Sequence, residues 1–135
     1  GFDMNDYADS AERHFLSADA MRTAQPATAS HCYGIAAECV LKALMSNLQP
    51  QVHRASGKHI GISLWSELAN HQTLQTHPSR IAGAIKYQSG FNGWDIGQRY
   101  LSRMSAEFAE AKVSAQSQSA RGLLGLLQLV QRGLA

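Results

Sequence analysis

Clustered charge is the first thing this sequence lacks. Its lysines and arginines are scattered, and the formal charge over 135 residues is only +2 at neutral pH. A strong DNA-binding surface needs a basic stripe or patch, so that class is set aside; a local site for one phosphate needs no such stripe. Cysteine is scarce too. The two present, Cys32 and Cys39, fall seven positions apart in a helical stretch, about 10.5 Å along the axis and beyond the roughly 7 Å that a disulfide bridges. Both read as small buried apolar residues of a reducing, cytoplasmic compartment. No apolar run approaches the roughly 18 residues of a membrane span, and no charged-then-apolar signal segment opens the chain. No alternating β-rich run and no repeat at fixed period is present. Glycine-rich phosphate loops, HExxH helices, CxxC pairs and GxSxG elbows are missing. The six histidines are dispersed, no two at i, i+4 on one predicted helix face, so neither a metal nor another cofactor is expected.

What is present is a helical pattern. At 44% hydrophobic residues the chain can bury a core, and its length suits one domain over 1–135. Its centre is the stretch Ser30–Leu48, SHCYGIAAECVLKALMSNL, apolar around almost its whole circumference and therefore predicted as the buried middle of a bundle. One line breaks that coat: His31, Gly34, Glu38 and Lys42 recur at three- and four-residue steps on a shared face. The line is either a Glu38–Lys42 ion pair at the bundle edge or a polar seam open to a ligand, a partner subunit or an active site.

Around it, a first helix is predicted from near Asn5, as cap, to about Thr23, with Tyr7, Ala11, Phe15, Ala18 and Met21 inward. Pro26 belongs at the turn into the central helix. A polar connection over 49–61 carries His53, Arg54, Lys58 and His59. A third helix over about 63–71 is predicted with Ile60, Leu64, Trp65 and Leu68 inward, and a short one opens with Pro78. Gly90 and Gly93 bracket a turn holding Phe91 and Trp94. Asp95 and Gln98 fit a capping box for a following helix with Tyr100, Leu101, Met104, Phe108 and Ala111 at helical spacing. Residues 114–120, poor in large apolar groups, are expected to bend or interrupt it. The final RGLLGLLQLVQRGLA is apolar at Leu123, Leu124, Leu127, Val130 and Leu134, and Gly133 is placed to end it. The fold class predicted is all-α, a bundle of four to six helices.

ADSAERHFLSADAM followed by YGIAAECVLKALM resembles the first helical hairpin of the HEPN superfamily, whose second helix carries a similar E-x-x-x-K-A-L pattern. KHIGISLW and FNGWDIGQRY resemble the elements that follow in one bacterial branch, so the likeness covers most of residues 7–101. It implies an antiparallel bundle that often dimerises. It also implies a role as metal-independent ribonuclease, nucleotidyltransferase partner or non-catalytic binding module in toxin–antitoxin and defence systems. In the nuclease branches a late helix carries Arg, four to six residues, then His; the His acts as general acid or base and the Arg neutralises phosphate charge. This chain departs there. After Arg99 the His would fall at Met104, Ser105 or Ala106, and after Arg103 at Phe108, Ala109 or Glu110. Arg54-ASGK-His59 is the one literal match, and about one such spacing is expected by chance.

The candidate site residues are therefore His59 and Arg99 for catalysis, with Arg54 as alternative, and Glu38, Lys42, Trp94, Asp95 and Tyr100 for ligand binding. Arg99 is expected in the first turn of its helix, against the dipole, which points to a partner for it: Glu38 in an internal bridge between helices, Asp95, or a ligand phosphate. The expected partners are a second copy of the chain, RNA or a nucleotide, or a partner protein, with no membrane.

Overall fold

The computed structural model describes residues 6–48, 62–70 and 78–133. These form an all-α bundle: α1 (Tyr7–Met21), α2 (Pro26–Leu48), α3 (Ile62–Asn70), α4 (Pro78–Ile85) and α5 (Glu110–Gln131). Between α4 and α5 run three short 3-10 helices, Gln88–Phe91, Ile96–Tyr100 and Ala106–Phe108. No strand occurs among the described residues, and no helix there is long and apolar enough to cross a membrane.

Asp6 caps α1 by accepting the Asp9 amide at 2.9 Å; the expected cap, Asn5, lies outside the described residues. Helix α2 starts four residues earlier than the Ser30 predicted. Pro26 has no amide to lose in a first turn, and the ladder opens with Ala29 N–H on the Gln25 carbonyl at 3.0 Å. The turn between them folds α2 back along α1, and α5 packs against both. Tyr33, Ala36, Ala37, Val40 and Leu41 on α2 are wholly buried, which places this helix at the centre as expected. Each leucine so buried contributes about 1.5–3 kcal/mol through area removed from water. From α1 come Ala11, Phe15 and Ala18, and from α3 Leu64, Trp65 and Leu68.

Asp19 fastens α1 to both neighbours: it accepts the Tyr33 hydroxyl and, at 3.4 Å each, Ser117 Oγ and Arg121 Nη2. Cys32 and Cys39 are free thiols. Burial pushes both above the ordinary cysteine value, so neither is a ready nucleophile.

The stretch 96–109 departs from prediction. The capping box is present, with Asp95 Oδ1 accepting the Gly97 amide at 2.7 Å and Gln98 Oε1 the Asp95 amide at 3.4 Å. It opens only a 3-10 helix, however, and Leu101 is already extended. Ser102 Oγ takes the Met104 amide and Ser105 Oγ the Glu107 amide, at 3.1 and 3.2 Å. Serines that bond their own backbone offer it an alternative to the helical ladder. Tyr100, Leu101 and Met104 consequently face solvent instead of forming a core stripe. Conversely, α5 runs unbroken through 114–120. Gln116, Ser117, Ser119 and Ala120 are buried there, because small and hydrogen-bonded residues suit a closely approached helix face.

At Gly34 on α2, an added Cβ would overlap the Trp94 indole, whereas one at Gly125 on α5 would meet nothing within 4 Å. Gly34→Ala is expected to lower stability by about 1–3 kcal/mol through overpacking. Gly125→Ala is expected to raise it by about 0.4–1 kcal/mol. Urea unfolding of both variants beside the wild type checks the pair, and equal effects would contradict the packing described.

Candidate functional site

Ser30, fully buried, fixes the local geometry. Its hydroxyl donates to Gln116 Oε1 of α5 at 2.7 Å and accepts Gln98 Nε2 at 2.7 Å. Its carbonyl accepts Trp94 Nε1 at 2.9 Å. One residue of α2 thus pins both α5 and the stretch of short 3-10 turns that carries Trp94, Asp95, Gln98 and Arg99.

Two cavities flank this junction. The smaller, about 120 Å³, is lined by Ala27, Thr28, His31, Gln98, Arg99 and Phe108. His31 lies nearly parallel to Trp94, planes 18° apart and ring centroids 6.4 Å apart. Its Nδ1 is buried with no hydrogen-bond partner among the described residues. Burial, then the positive charges of Arg99 and His14, hold its pKa below the ordinary value, with Glu38 opposing. The imidazole is therefore neutral at pH 7 and able to act as a base or to hydrogen-bond a ligand. The larger cavity, about 330 Å³, lies along Trp65, Gln88, Phe91, Asn92, Gly93, Trp94 and Asp95.

The predicted site residues are distributed unevenly over this geometry. His59 and Arg54 lie outside the described residues. Glu38 and Lys42 do pair, at 3.1 Å, but the pair is buried, with side chains 8% and 6% exposed, and does not sit at the bundle edge. The Lys42 ammonium also lies 5.8 Å from the Tyr7 ring centroid, and neither residue lines either cavity. Trp94 and Asp95 come together in the larger one.

Arg99 stands in the last turn of a 3-10 helix rather than the first turn of an α-helix, so the dipole does not oppose it. It is exposed, with its guanidinium 4.9 Å from the centroid of the Tyr100 ring. The bridge to Glu38 is not the arrangement found. Arg99 instead shares the smaller cavity with His31, a residue that the sequence marked only as part of the polar line on α2. Among the described residues no group of three or more His, Cys, Asp or Glu could hold a metal ion.

Two outcomes follow. Ser30→Ala leaves the Gln98 and Gln116 carboxamides short of a partner in the interior, a loss of about 1–3 kcal/mol for each stranded group; urea unfolding measures it. His31 gives a pH signature. Its folded pKa is depressed below the unfolded 6.5, so the unfolded chain binds its proton first as pH falls. Stability is intact above the unfolded value and declines below it until the folded pKa is passed. His31→Gln should lose less stability than wild type between neutral pH and pH 5, and parallel losses would remove His31 as the cause.

No family model, curated protein or solved structure matches this chain.

Proposed function

We propose that this chain is a helical binding module whose His31–Arg99 cavity takes the phosphate of a nucleotide or an RNA strand. One observation carries this reading: a buried imidazole nitrogen without a partner shares a small cavity with an exposed guanidinium. An unsatisfied buried polar atom costs about 1–3 kcal/mol, and a ligand oxygen reached by a small turn of the ring would offset that. At about 120 Å³ the cavity suits a single phosphate and is well below the size of a site for a whole drug-sized ligand. Tyr100, 79% exposed beside Arg99, offers a ring face on which a base can stack outside the cavity. The HEPN resemblance, with its toxin–antitoxin and defence setting, supports the same direction.

A second reading, a metal-independent ribonuclease with a displaced Arg/His pair, is favoured by the neutral state of His31. There His31 takes the proton of the ribose 2′-hydroxyl as that oxygen attacks phosphorus, the bond from phosphorus to the 5′-oxygen breaks, and that oxygen leaves with a proton from water, giving a 2′,3′-cyclic phosphate; Arg99 stabilises the charge that builds on the phosphate. The pair is then His31 with Arg99, in place of His59. The exposed run of Tyr100, Leu101 and Met104, at 79%, 47% and 84%, favours a contact with a partner protein or a second copy through the same segment.

One experiment separates these. A labelled single-stranded RNA is titrated in chelator with wild type, Arg99→Ala and His31→Ala, while gels follow its length and light scattering follows the mass of the protein. Arg99→Ala should weaken binding about tenfold or more, as expected for one charge-assisted contact, with melting unchanged because Arg99 is exposed. Unaltered binding would overturn the phosphate reading. Cleavage in chelator that disappears in His31→Ala would establish the ribonuclease reading, and intact RNA would reject it. A dimer broken by Met104→Glu would support the copy-to-copy contact.

A further inference from the structure

We propose that the larger cavity is a second, separate site, for a small organic cation carrying an alkylated ammonium group. Its volume, about 330 Å³, falls within the range of small-molecule clefts. Its walls are chemically one-sided. Trp65, Phe91 and Trp94 supply aromatic rings, Gln88 and Asn92 supply carboxamides, and Asp95 supplies a carboxylate; among the described residues no basic side chain lines it. Aromatic quadrupoles attract cations, above all weakly hydrated ones such as alkylated ammonium groups.

Asp95 is fitted to act as the counter-charge. Its side chain accepts the Gly97 amide at 2.7 Å and, in the capping box, the Gln98 amide, which orients the carboxylate; its two oxygens have further lone pairs for a ligand. The Trp94 wall is rigid, because its Nε1 is bonded to the Ser30 carbonyl and its ring lies against Gly34. A wall already in place spares the ligand the cost of ordering it. Trp94 also divides the two cavities by charge. Its neighbour His31 belongs to the cavity that holds Arg99, and the cleft on which Trp94 itself borders holds Asp95. An anion is disfavoured where Asp95 stands, so the two sites take ligands of opposite sign.

The chain contains two tryptophans, Trp65 and Trp94, and both line this cleft, so intrinsic fluorescence reports on it directly. Choline is titrated into wild type and Asp95→Asn, with the uncharged isostere 3,3-dimethylbutan-1-ol and inorganic phosphate as controls. Asparagine caps helices about as well as aspartate, so Asp95→Asn removes the charge while keeping the cap. Its melting temperature confirms that the fold is retained. The expected result is a saturable fluorescence change with choline that weakens at least tenfold in Asp95→Asn and at least tenfold for the isostere. No saturable response to choline overturns the proposal. Equal affinity in Asp95→Asn, or equal affinity for the isostere, overturns the cation assignment. Loss of RNA binding in Arg99→Ala leaves this result unaffected, because Arg99 does not line the cleft.

Discussion

The structure depends on how Ser30 is satisfied. A serine buried to zero exposure inside a central helix must find partners for its hydroxyl. Here it finds them across 68 and 86 positions of sequence, in Gln98 and Gln116. The same residue lends its carbonyl to Trp94, and one turn further along α2 the chain has Gly34, where any side chain would collide with that indole. Ser30 and Gly34 are thus two parts of one constraint. The first holds the tryptophan by its nitrogen, and the second leaves room for its ring.

That constraint explains why a stretch with little regular structure is fixed well enough to shape two cavities. Residues 88–109 have only short 3-10 turns, which carry few internal hydrogen bonds and are poor at holding themselves in place. Tertiary bonds from Trp94 and Gln98 supply what local structure does not. The capping box contributes as well: Gln98 bonds the Asp95 amide through its oxygen and Ser30 through its nitrogen. A single carboxamide therefore joins the local turn to the central helix, and the orientations of Asp95 and Arg99 follow from it.

Much of the helical frame was legible in the sequence, because apolar periodicity and turn chemistry are local signals. The α1–α2 hairpin, Pro26 at its turn, the burial of α2 and the Asp95–Gln98 capping box all rest on such signals. Residues 100–108 misled for the same reason: Tyr100, Leu101, Met104 and Phe108 fall at helical spacing, yet only Phe108 is buried. The competing signal, Ser102 and Ser105 bonding their own backbone, is weaker on the page than an apolar stripe. Residues 114–120 misled in the opposite sense, since few large apolar groups there reflect a face that meets its neighbours through serine and glutamine. Of the site, the polar line on α2 was visible. That His31 would meet Arg99 was not, because the two are brought together by folding and by no spacing in the chain.

The role left to Arg99 follows from a competition for Glu38. A buried carboxylate needs a cation, and both Lys42 and Arg99 were candidates. Lys42 lies four residues on along the same helix, in the orientation that favours a Glu-to-Lys pair, and its own ammonium is buried and needs the charge. Pairing them gives each buried ion an opposite charge at 3.1 Å. Arg99, on the surface, loses little by remaining solvated, its guanidinium resting near the Tyr100 ring. The local pair wins, and the charge not used for holding helices together stands at the mouth of the cavity that contains His31. A cation whose removal costs the fold little can be kept for what it binds, which separates a site from the scaffold that carries it.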